Sequence, residues 1–105
     1  MDYECHHESL DCYKLLVRVA RWYRRTRFPR HLQHVQDQGA RAAESAVLNL
    51  AEGCYRTGKS RLHHFRIAQG SAAEAVAALD LTDLKPREEV QTALRRCTAM
   101  MQRLR

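Results

Sequence analysis

Residues Gln38 to Glu74 confine this chain to a narrow set of folds. They read QGARAAESAVLNLAEGCYRTGKSRLHHFRIAQGSAAE: a helix of small residues, a turn at Thr57-Gly58-Lys59-Ser60, and a second helix of the same make. Gly39, Ala42, Ala43, Ala46 and Leu50 form a face that lets neighbouring backbones approach closely. Beside it Ser45, Asn49, Glu52 and Arg56 follow one another at spacings of four, three and four, so they share one helical stripe. A polar line next to a face of alanines is either a solvated edge or a network held between helices.

The rest of the chain is punctuated for helices too. No run alternates β-branched with polar residues, so a sheet is not expected. The first helix is expected from Ser9, its N-cap, to Thr26, and Phe28-Pro29 ends it because the residue before proline is driven out of the helical region. It carries two apolar stripes: Tyr13, Leu16, Val17, Ala20 and Tyr23 on one, Leu15, Val19 and Trp22 on the other. One stripe suffices for a lone bundle, so Leu15, Val19 and Trp22 are read as facing another subunit. The second helix is expected from Arg30 or His31 to Gly53, with Gly53 in the left-handed cap conformation.

Ser60 should cap the third helix, whose buried line is Phe65, Ala68, Ala72, Val76 and Leu79. Regularity should fail between Asp80 and Lys85. Pro86 suits the first position of the fourth helix, and Glu88 and Glu89 suit its N-terminal dipole. Val90, Leu94, Cys97, Met101 and Leu104 then make a core seam. Short links imply an all-α, antiparallel, up-down-up-down four-helix bundle occupying residues 1–105 as one domain, with residues 1–8 a frayed terminus. A turn centred near residue 58 makes opposed residues of helices two and three sum to about 116. Ser45 should therefore face Ser71, Arg41 should face Glu74, and Glu52 should lie near His63 or His64.

The same residues carry a resemblance. Gln38, Arg41, Ala42, Ala43 and Ser45, then Asn49, Glu52, Gly53 and Arg56, then Ala68, Gly70, Ser71 and Glu74 are similar to the motifs of a bacterial four-helix-bundle family. Its members are encoded within intervening sequences of large-subunit ribosomal RNA genes, and Phe28-Pro29 stands at the family's aromatic–proline break. The resemblance spans Leu10 to Leu104, with Ala46 in place of a branched apolar residue. It implies a non-enzymatic homo-oligomer, a pentameric ring above all. A related accessory protein of diversity-generating retroelements works beside a reverse transcriptase, which makes such an enzyme a candidate partner.

Charge and cysteines narrow the chemistry. Eighteen Lys and Arg against twelve Asp and Glu leave a formal charge of +6. The segment RVARWYRRTRFPRH sets arginines among Trp22, Tyr23 and Phe28, the pairing of phosphate-binding forks with stacking rings that RNA recognition uses. Lys14, Arg18, Arg21 and Arg25 fall on one sector of the first helix, and Arg24, Arg27 and Arg30 extend the set. These seven are the expected nucleic-acid-binding residues. Arg41, Ser45, Asn49, Glu52, Arg56, Ser71 and Glu74 are the expected structural network.

Catalytic residues, cofactors and a bound metal are not expected. Adjacent His63 and His64 point about 100° apart on a helix, and Cys5-His6-His7 with Cys12 has no second pair at zinc spacing. Cys5, Cys12, Cys54 and Cys97 read as free thiols of a cytoplasmic protein. No stretch is apolar enough to cross a bilayer. The two functional expectations are a ring that binds nucleic acid, RNA foremost, and a protein-interaction scaffold for a nucleic-acid enzyme.

Overall fold

The computed structural model describes residues 10–84 and 87–104. The expected Ser9 cap, the frayed residues 1–8, the Cys5-His6-His7 cluster, the Pro86 helix start and the side chain of Leu104 lie outside the described residues. Four helices form: α1 (Asp11–Arg25), α2 (Gln33–Cys54), α3 (Gly58–Leu79) and α4 (Arg87–Leu104), with a 3-10 turn at Arg30–Leu32 leading into α2. No strand occurs among the described residues. α1 and α3 each lie against both α2 and α4.

The core follows the small-residue pattern. Ala40, Ala43, Ala46 and Leu50 of α2 and Phe65, Ala68, Ala72, Ala75 and Leu79 of α3 are fully enclosed. Val90, Leu94, Cys97 and Met101 close the core from α4, as the seam predicts. Val76 is only half-buried, because its place on the line is taken by Ala75.

Three boundary expectations need correction. Gly53 does not take the left-handed cap conformation; the only positive φ among the described residues is Gly58, at 56°. Gly53 stays inside α2 because Phe65 lies on it: a Cβ there would come within 2.6 Å of the phenyl ring. α3 therefore starts at Gly58, after Thr57, and Ser60 is inside the first turn instead of capping it. α2 begins at Gln33, two or three residues later than expected, because Arg30–Leu32 winds as a tighter 3-10 turn.

Each helix joint is clamped by side chains from the helix that follows. The last carbonyls of a helix have no intrahelical donor. At the end of α1, Gln36 Nε2 donates to the carbonyls of Tyr23 (2.6 Å) and Thr26 (2.8 Å), and Gln33 Nε2 to that of Phe28 (2.9 Å). At the end of α2, the Arg61 guanidinium donates to the carbonyls of Gly53, Cys54 and Arg56 at 2.9–3.3 Å. At the end of α3, Gln91 Nε2 reaches the Val76 carbonyl (3.1 Å) and Asp80 Oδ1 (2.7 Å), while Arg87 donates to the Thr82 carbonyl (2.6 Å).

Tyr23 ties three helices together. Its ring from α1 lies over Gly39 of α2, where an added Cβ would meet Cε1 at 2.2 Å. Its hydroxyl donates to the Ala75 carbonyl of α3. Burial raises the Tyr23 pKa, because the phenolate would lose its water. Trp22 packs edge-on to Tyr23 and Phe28, with ring centroids 5.3 and 5.9 Å apart.

The α1 sector read as a subunit interface is largely turned inward. Val19 is only 4% exposed and belongs to the chain's own core, so it cannot face another copy. The buried residues Cys12, Leu16, Val19, Ala20 and Tyr23 straddle the two stripes, so the core-facing sector runs across the boundary between them. Leu15 and Trp22 are partly buried against that core on one flank, and Tyr13 and Val17 are half-buried as well.

Candidate nucleic-acid interface

Once Leu16, Val19 and Tyr23 are fixed inward, helical geometry turns Lys14, Arg18, Arg21 and Arg25 to the opposite side. All four are exposed. Among the described residues none of them has an acidic partner within ion-pair distance. Arg27 and Arg30 are also exposed, with no ion pair among the described residues, on the segment that joins α1 to α2 and is anchored by buried Phe28.

Arg24 departs from the expected set. Its Nε and Nη2 make a two-pronged bond to Glu44 at 2.8 and 2.9 Å, and Nη1 lies 3.3 Å from Asp37. The hydrogen bond to Glu44 is the main reason its pKa is raised. Glu44 is held below the usual carboxylate range by the same bond. A fork already filled by two carboxylates is poorly placed to take a phosphate, so Arg24 serves as an α1–α2 strap.

The polar network forms in part. Ser45 and Ser71 Oγ atoms are 3.0 Å apart, the facing pair that the α2–α3 turn predicts. Asn49 Nδ2 donates to the Ser45 carbonyl (3.0 Å), and Asn49 Oδ1 is 3.0 Å from His64 Nδ1. These side chains are half-buried. Two pairings differ from expectation. Arg41 binds Asp37 on its own helix at 3.1 Å and is 73% exposed, so it does not engage Glu74. Glu52 binds Arg56 at 2.6 Å in an exposed pair, and it is Asn49 that meets His64. The network is thus a four-residue seam, Ser71–Ser45–Asn49–His64, with a separate surface ion pair at its edge.

His63 and His64 rings meet edge-on at 5.4 Å, and among the described residues no three His, Cys, Asp or Glu side chains cluster as a metal site. Cys12, Cys54 and Cys97 are buried. Cys97 Sγ donates to the Cys12 carbonyl at 3.5 Å, and burial pushes its pKa up to about 12.

Sequence reasoning missed the Gln36, Arg61 and Gln91 clamps, Tyr23's hydroxyl bond and the outward Leu48. Leu48 alone had a signal: it is two residues beyond core Ala46 and two before core Leu50, out of phase with both.

Four closely packed helices, a half-polar α2–α3 seam and a row of unpaired cations on α1 define a small all-α protein with a basic outer face. The model of the 23S rRNA-intervening sequence protein family matches residues 8–104, and the chain belongs to that family. Comparison with curated proteins and with solved structures gave no match.

Proposed function

We propose that this chain is a non-enzymatic, cytoplasmic up-down-up-down bundle that assembles as a homo-oligomeric ring, a pentamer foremost, and binds nucleic acid, RNA above all. The observation that carries the binding reading is the unpaired, exposed row of Lys14, Arg18, Arg21 and Arg25. Unsatisfied cations on a rigid helix attract phosphates by releasing counterions, and copies set around a ring multiply that attraction. The up-and-down reading is supported by partner order: Asn49 meets His64 while Ser45 meets Ser71, and Val76 meets Gln91 while Gln69 meets Thr98. No helix among the described residues is long and apolar enough to cross a membrane.

A salt titration tests the binding. Affinity for single-stranded RNA should fall linearly on a log–log plot, and Lys14→Glu with Arg18→Glu should flatten the slope by about 1.4 per subunit. Affinity that ignores salt would sink the phosphate reading. A docking role on a nucleic-acid enzyme, such as a reverse transcriptase, is the second reading. It is favoured by the apolar trough between α1 and α2, and under it the same double variant keeps partner binding.

A further inference from the structure

Four large apolar side chains stand exposed among the described residues: Leu48 (68%) on α2 with Tyr55 (59%) at its C-cap, and Ile67 (36%) on α3 with Leu81 (68%) in the turn just past its end. The two groups present opposite shapes. Leu48 rises beside an open trough of about 440 Å³ whose floor is Val17, Ala20 and Val47 and whose rim carries Arg21 and Arg25. Arg24, also on that rim, is already held by Glu44 and Asp37. The free charge there is positive.

The outer face of α3 is a notch. Ile67, Gly70, Glu74 and Ala77 are all exposed and recur at spacings of three, four and three, so they line one side of the helix, and exposed Leu81 follows in the turn after it. Gly70 interrupts a helix that would be sounder with almost any other residue, and nothing lies within 4 Å of where its Cβ would be. Nothing among the described residues accounts for that absence of a side chain. Glu74, one turn on, makes no ion pair among the described residues and supplies a free negative charge beside the notch.

We infer that the α1–α2 trough of one copy receives the outer face of α3 of the next copy, with Leu48 seated over Gly70 and Arg21 and Arg25 around Glu74. The inference rests on the assembly reading above and replaces the Leu15, Val19 and Trp22 face with a defined contact. The two surfaces differ from each other, so the contact is head-to-tail and each copy keeps one free face until a ring closes. Lys14, Arg18, Arg27 and Arg30 are left outside it for nucleic acid. A self-matching contact, trough to trough, would bring Arg21 and Arg25 against their own copies and is disfavoured by like charge.

The test uses the full chain, with mass measured by light scattering after size exclusion. Gly70→Gln and Leu48→Gln should each reduce the wild-type oligomer to a single chain. Gly70→Gln should do so with melting temperature of the monomer unchanged or raised, since its side chain meets open space. Mixing the two variants restores one intact trough and one intact notch, so a two-chain species should form and grow no further. Glu74→Arg should weaken assembly at least tenfold in dissociation constant, and Arg21→Glu in the same chain should recover part of it. A wild-type mass of one chain overturns the assembly reading and this contact with it. A wild-type oligomer that Gly70→Gln leaves intact, or a mixture that stays monomeric, overturns the contact alone.

Discussion

Replacing Gly39 by alanine asks how tightly the three-helix tie at Tyr23 is built. In an open helix the change would stabilise by about 1 kcal/mol through propensity. Here the new methyl would stand 2.2 Å from Tyr23 Cε1 and 2.4 Å from Cζ, where ordinary contacts begin near 3.4 Å. The ring must retreat by more than an ångström, and its hydroxyl then leaves the Ala75 carbonyl. Overpacking costs about 1–3 kcal/mol and a stranded buried hydroxyl about 1–3 kcal/mol more. The net loss, after the propensity gain, is roughly 1–5 kcal/mol. For a domain of this size that lowers the melting temperature by roughly 5–25 °C, measured by circular dichroism at fixed protein concentration. A double-mutant cycle isolates the cause. Tyr23→Phe should cost about 1 kcal/mol in the wild type and much less beside Gly39→Ala, where the bond is already broken. A Gly39→Ala protein as stable as its parent, or equal Tyr23→Phe costs in both backgrounds, would refute the geometry.

Other consequences are simpler to check. Ser71→Ala should cost about 1 kcal/mol in urea unfolding and Ser45→Ala somewhat more, since Ser45 Oγ also accepts from Asn49 Nδ2 at 3.3 Å; the double variant should cost little more than Ser45→Ala alone. Arg61→Met keeps the apolar stem but strips three carbonyls of their donor; the expected loss is about 1–3 kcal/mol, with amide exchange quickening first around the α2–α3 turn. Burial raises the pKa of Cys97 and Tyr23, so each favours the folded state in its neutral form. Their contribution is complete below the unfolded values and fades as pH climbs above about 9 toward 12; alkaline melts should show the loss, and Cys97→Ala should remove part of it. Alkylation of the native chain should spare Cys12, Cys54 and Cys97 until the protein is unfolded.

The helical class and the α2–α3 pairing were legible in the sequence because local signals and global packing agree there. Alanine-rich faces, the Gly58 turn and the arithmetic of a hairpin together place Ser45 opposite Ser71. Arg41 escaped the same arithmetic because a long side chain satisfies itself on its own helix, where Asp37 is four residues away. Gly53 was misread because a glycine near a helix end can mark either a cap or a close approach, and only the position of Phe65 decides between them. In α1 the apolar residues cover so much of the circumference that periodicity cannot locate the centre of the buried arc. Val19 therefore fell on the wrong side. The cationic row was legible as a pattern, but Arg24's engagement was not, since Glu44 and Asp37 are far along the chain and meet it only after α1 folds back on α2.

The clamps at the helix ends give this small molecule a direction in time. Gln36 belongs to α2, Arg61 to α3 and Gln91 to α4, so every joint is completed by residues made after the helix it secures. A nascent chain emerging from the ribosome carries an unfinished last turn until the next segment arrives to close it. Cutting the chain back from its C-terminus should therefore loosen it one hinge at a time, beginning with the end of α3.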